Sequence, residues 1–140
     1  MTGVVRSEVT TRPLDVAEHE RLVANAGAGA VVSFAGVVRD HDKGRTVVAL
    51  DYEAHPSASH VLRQVAEEIA KDPEVVAVAV SHRVGSLEIG DVALAAAVSC
   101  AHRAEAFDAC RRLVDEAKAR LPIWKHQHFA DGTDEWVNCP

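Results

Sequence analysis

The apolar positions of this chain switch period several times, and each switch marks a predicted element. Residues 4–11 read as a strand, followed by a helix over 15–26 with Asp15 as its N-cap and Gly27 as its stop. Residues 30–38 form a strong β run that ends at Arg39, and the polar stretch from Asp40 to Arg45, with Gly44, reads as a loop. A strand over 47–54 leads to a helix opened by Ser57, in which Val61, Leu62, Val65, Ala66 and Ile69 make one apolar face before Asp72-Pro73 ends it. The runs 75–80 and 92–101 lack polar alternation, as expected of strands covered on both faces, and Gly85 and Gly90 mark a turn-bearing connection between them.

A third helix is predicted over 104–120. At 100° per residue, Phe107, Cys110, Val114, Ala117 and Leu121 fall on one stripe, with Lys118 on its border. Pro122 forbids continuation of that helix, residues 123–129 read as a strand bounded by Asp131-Gly132, and Trp136-Val137 forms a last short strand. Strand runs and helices mixed in this order give an α+β fold with a mixed or antiparallel sheet.

Length changes this picture little: 140 residues fit one domain, 1–140, able to bury a core without metal or disulfide help. Apolar residues make up 48% of the chain, but no run approaches eighteen without a charge, so no membrane span is expected. The first residues, Met1 to Glu8, lack the apolar core of a secretory signal, and a cytoplasmic location is the expectation. Cys100, Cys110 and Cys139 form no Cys-x-x-Cys pair and read as buried or terminal thiols. A formal charge of −6 would repel a polyanion, which argues against nucleic-acid binding and requires any anion site to be a local concentration of cations.

Such a concentration is visible. Lys125 follows Leu121-Pro-Ile-Trp124, where an ammonium against apolar neighbours either snorkels to the surface or meets an anion. Lys118 is either a dipole-favoured helix-end lysine or, from its border position, part of a site. His102-Arg103 leaves a buried strand and enters a helix, where backbone N–H groups attract anions, and Arg39 stands at another strand exit. His126 and His128 would share one face of a strand, but no Asp, Glu or Cys stands at a spacing that completes a zinc set, so no metal site is expected. Gly27-Ala-Gly29 is too short for a dinucleotide fingerprint.

Phe34-Ala-Gly-Val-Val-Arg39, Leu50-Asp-Tyr-Glu53, His82-Arg-Val-Gly85 with Leu87 and Gly90, Ala101-His-Arg-Ala-Glu-Ala-Phe107, Asp115 to Lys118 and Pro122-Ile-Trp-Lys125 together resemble the large, catalytic subunit of molybdopterin synthase. The resemblance runs from about Ala30 to Val137. It implies an α/β hammerhead-type fold with an additional small antiparallel β-sheet. It also implies a homodimer within a heterotetramer, with a small ubiquitin-like sulfur-carrier subunit docked at each end. The implied reaction moves sulfur from the carrier's Gly-Gly thiocarboxylate tail to cyclic pyranopterin monophosphate, giving the dithiolene of molybdopterin, with no metal or cofactor required.

By the same resemblance, Lys118 and Lys125 are the catalytic lysines, and Val37, Val38, Arg39, His102, Arg103, Lys118, Lys125, His126 and Gln127 contact substrate, in a pocket near the dimer interface that uses residues of both protomers. Substrate and thiocarboxylate are both anions, so their meeting needs a cationic pocket. Lys118, desolvated among cations and so lowered in pKa, is expected to act as general acid/base, while Lys125 orients substrate or the carrier's carbonyl. The chain departs from the family at His126-Gln127, where relatives commonly have a basic residue and Glu, and it reaches Pro140 where they tend to carry a longer basic tail. The alternative function is a non-catalytic module that holds a phosphorylated metabolite or a ubiquitin-like partner's tail.

Overall fold

The structure, a computed structural model, describes residues 1–138, so Cys139 lies outside the described residues. Two sheets organise the chain. The first contains β1 (Gly3–Thr10), β2 (Ala30–Val37), β5 (Val75–Arg83) and β7 (Val92–Cys100) in the order β1-β5-β7-β2. Its β1 and β5 are parallel and its other pairs antiparallel, so of the mixed or antiparallel sheet expected from the sequence it is the mixed one. The second is antiparallel, with β3 (His41–Asp42), β4 (Arg45–Ala54), β8 (Ile123–Phe129) and β9 (Asp134–Val137) in chain order, and β6 (Gly85–Leu87) also pairing with β4.

Strands β5 and β7 are buried on both faces because helices cover both. Helices α2 (Ala58–Ala70) and α3 (Arg103–Arg120) pack with Val78, Val80, Ala96 and Val98, whereas α1 (Val16–Val23) covers the alternate residues Ala77, Ala79 and Ala97. The larger core continues from α2 and α3 to Leu50, Tyr52, Leu87 and Ile123, and so joins the two sheets.

Several local expectations shift, each for a physical reason. The Asp15 carboxylate accepts from the Glu18 amide as an N-cap should, but α1 ends at Val23 rather than residue 26, because the Asn25 side chain takes the Gly27 amide at 2.8 Å. The loop expected over Asp40 to Arg45 is a hairpin: Lys43 and Gly44 both have positive φ, 50° and 77°, the backbone of a type I′ turn.

Phe107, expected on the buried stripe of α3, is 63% exposed. The buried positions are Ala106, Ala109, Cys110, Leu113, Val114 and Ala117, so the true stripe is turned toward Ala106 and Ala109 and leaves Phe107 on its edge. Lys118 shares that edge and is exposed.

Candidate functional site

Strand alternation and one helix edge bring cations from three elements to one place. Arg39 follows the end of β2, Lys118 stands in the last turn of α3, and Lys125 is on β8 directly opposite Tyr52 of β4. These side chains line a cleft of about 180 Å³ together with Gly36, Val37, His82, Ala93 and Leu94. Among the described residues, no carboxylate lines it.

Two uncharged polar groups complete the wall. His82 is 1% exposed and its Nδ1 lies 2.8 Å from the Arg83 carbonyl, so that nitrogen carries the proton and donates. Its ring meets Tyr52 edge-on at 5.0 Å between centroids. Burial, with the Lys118 charge adding to it, lowers the His82 pKa to about 4, against the opposing bond to Arg83, so the imidazole is neutral near pH 7. Asp42 flanks the cleft, 3.5 Å from Arg39, and accepts from the Gln127 amide at 2.9 Å. That bond, with Lys125 and Arg39 nearby, holds its carboxyl below the usual range.

The His82 environment makes stability acid-sensitive. In the unfolded chain the imidazole protonates near pH 6.5, whereas in the fold it stays neutral to about 4, so the unfolded state binds the extra proton between those values. Stability present above pH 6.5 is therefore lost as pH falls toward 4, by on the order of 3 kcal/mol. Urea unfolding of wild type and His82→Gln at pH 7 and pH 4.5 should show the larger drop in wild type; equal drops would contradict the assignment.

The structure separates the remaining expected site residues. Val38 is buried at 4% and its amide donates to the Asp91 carbonyl at 2.9 Å, so it anchors the strand exit rather than presenting a side chain. Gln127 reaches the cleft only through Asp42. His126 lies on the other face of β8 from Lys125, bonded to Asp134 and stacked on Trp136, because successive strand residues point oppositely. His102 and Arg103 open α3, and fifteen residues of helix put Arg103 about 22 Å along the axis from Lys118. Lys118 is exposed within this chain, so the desolvation expected around it is not supplied by the chain alone.

The MoaE protein family model matches residues 9–120, most of the chain. A molybdopterin synthase catalytic subunit from Nostoc sp. is 40% identical over 132 residues, covering 93% of this chain and 80% of the relative. The chain belongs to the MoaE family. A crystal structure of molybdopterin synthase from Staphylococcus aureus superposes with a TM-score of 0.84 at 34% identity, covering 92% of this chain and 94% of that one. A complex of subunits 1 and 2 of molybdopterin-converting factor from Helicobacter pylori, at 20% identity and a TM-score of 0.68 over 97% of this chain and 88% of that chain, shares the fold. Membership of the MoaE family makes this chain a catalytic subunit of an enzyme of molybdopterin biosynthesis.

Sequence reading missed His82 and Tyr52 as site residues. Both stood in the motifs that carried the resemblance, but the strand over 75–80 was ended too early to place His82 on it. Extending that strand to Arg83 would have brought His82 into view. The two described cysteines are buried, and burial pushes the Cys110 thiol up to about 11, which fits inert thiols rather than nucleophiles. Among the described residues no helix is long and apolar enough to cross a membrane.

Proposed function

We propose that this chain transfers sulfur from the C-terminal thiocarboxylate of a small ubiquitin-like carrier to cyclic pyranopterin monophosphate. The observation that carries this reading is the cleft itself: Arg39, Lys118 and Lys125 line it, with no carboxylate among its described lining residues. A cyclic phosphate and a thiocarboxylate are both anions, and three converging cations offset the repulsion between them as well as the charge that develops when the phosphate ring opens. The Arg39 guanidinium suits a bidentate grip on phosphate. Neutral His82 and Tyr52 add hydrogen-bonding capacity without negative charge.

In this reading the thiocarboxylate sulfur attacks a side-chain carbon of the pterin and displaces an oxygen, the cyclic phosphate ester or a hydroxyl lost as water. Water then cleaves the resulting thioester, releasing the carrier as its carboxylate and leaving the sulfur on the pterin, with Lys118 moving the protons and one carrier consumed per sulfur. Lys125 orients the substrate or the carrier's carbonyl. The two-subunit Helicobacter pylori complex, which has the same fold, supports a small partner subunit. A docked carrier tail over the cleft would supply the desolvation that Lys118 lacks in the isolated chain.

His102 and Arg103 enter the same pocket from a second copy of the chain. An apolar groove of about 340 Å³ runs between β2 and α3, lined by Val32, Phe34, Phe107, Cys110 and Val114 and flanked by Arg111 and Asp115. It lies along the α3 edge that has Phe107 near one end and Lys118 toward the other, beside β2, an edge strand of its sheet. Two copies packed across this groove about a two-fold axis, with their α3 helices antiparallel, set the start of one α3 beside the end of the other. That arrangement would bring Arg103 of each copy toward Lys118 of its neighbour and cover Phe107.

Incubation with cyclic pyranopterin monophosphate and a cognate thiocarboxylated carrier, followed by detection of the dithiolene product, tests the function. Product formation is expected. Its absence with a carrier shown to bind would contradict the proposal.

A further inference from the structure

The face of the second sheet turned away from Lys125 carries a side-chain cluster that the reaction does not use. His126 and His128 of β8 present their rings side by side, 4.3 Å between centroids. Asp51 of β4 stands opposite His126 in the register, and its Oδ2 lies 2.9 Å from His128 Nε2. A nitrogen of each imidazole and an oxygen of Asp51 all fall within 4.8 Å of one another. Across the β8–β9 hairpin, Asp134 Oδ2 lies 2.5 Å from His126 Nε2. Along the chain no acidic residue stands at a spacing that completes a zinc set with the His-x-His pair; the fold supplies Asp51 from 77 residues away.

The surroundings resemble those of a ligand set. The Ser86 hydroxyl donates to Asp51 Oδ1 at 2.6 Å, which fixes the carboxylate with its other oxygen toward the imidazoles, the outer-shell bond that orients metal-ligating carboxylates. The Trp136 indole stacks on His126 at 4.2 Å and 10° and limits that ring's rotation. Two imidazoles and the Asp51 carboxylate supply three donors to one divalent ion, and Asp134 beside His126 adds negative charge nearby. Imidazole and carboxylate donors in four-coordinate geometry suit zinc and its neighbours in the transition series better than magnesium or calcium, which prefer more numerous oxygen ligands.

We infer that Asp51, His126 and His128 form a three-ligand binding site for a divalent transition-metal ion of the zinc type, its fourth position open to water. Closing the ligand atoms onto one ion requires side-chain movements of about 1 Å, because donors about 2.0–2.2 Å from a tetrahedral centre lie a little over 3 Å apart. The ion would tie β8 to β4 and so stiffen the strand whose opposite face carries Lys125. Its role is structural, since no ligand faces the cleft.

Tag-free, chelator-stripped protein in its native assembly should bind one Zn²⁺ per chain by calorimetry, and Co²⁺ in its place should give the intense visible bands of a tetrahedral site. His128→Ala and Asp51→Asn should each weaken Zn²⁺ binding at least tenfold and abolish the Co²⁺ bands, whereas His55→Ala should change neither. Zinc should raise the melting temperature of wild type and not of His128→Ala, with the two melting alike in chelator. Failure of wild type to bind Zn²⁺, or binding that His128→Ala and Asp51→Asn leave unchanged, would overturn the inference and leave the cluster as His–Asp ion pairs only.

Discussion

Replacing Lys118 with alanine is expected to lower the rate of dithiolene formation by about 10²–10⁴-fold, the usual contribution of a positioned proton-transfer group. The fold should not suffer, because Lys118 is exposed and an exposed side chain away from caps and core typically changes stability by no more than about 0.5 kcal/mol. Unchanged melting with collapsed turnover would place the loss in chemistry. Lys118→Arg sharpens the test: arginine keeps the charge that attracts both anions but holds its proton too firmly for general acid/base work, so turnover should stay low. Full turnover in that variant would favour the reading in which the cleft only binds.

Arg103→Ala should lower kcat/KM by about 10- to 150-fold, the equivalent of losing one charge-assisted hydrogen bond to phosphate, worth about 1.5–3 kcal/mol. Within its own chain Arg103 stands at the far end of α3 from Lys118, so a lone protomer offers no reason for any loss. The effect arises only if a second copy delivers the guanidinium. Steady-state kinetics on the intact assembly should therefore place the loss in KM more than in kcat, because a phosphate grip serves substrate and transition state alike. An unaffected kcat/KM would remove Arg103 from the pocket.

Much of this arrangement is legible in the chain because it rests on period and on punctuation. The unbroken apolar runs around Val78 and Ala96 announce strands covered on both faces, and Pro122 ends α3 just after Lys118, which the wheel puts on the border of the buried stripe. What stays hidden is set by tertiary contact. Strands as short as β3 and β6 exist only through pairing with β4, and their residues carry no period of their own. Phe107 was misplaced because a wheel gives relative angles but not where the sheet lies beneath the helix. The contact of Asp51 with His128 crosses two strands far apart in sequence, and no local pattern reports it. The proposed approach of Arg103 to Lys118 would need a second copy, and no pattern within the sequence reports a contact between copies.

The shared pocket is tested most directly by mixing two defective proteins. Lys118→Ala and Arg103→Ala chains, each inactive or weak as its own assembly, are dissociated together, reassociated and assayed with carrier and cyclic pyranopterin monophosphate. If each pocket takes Lys118 from one copy and Arg103 from its neighbour, half of the randomly formed dimers are mixed, each mixed dimer has one intact pocket of two, and about a quarter of wild-type activity returns. If both residues serve one pocket within the same chain, no pocket in the mixture is intact. Activity that stays at the average of the two variants would contradict the account.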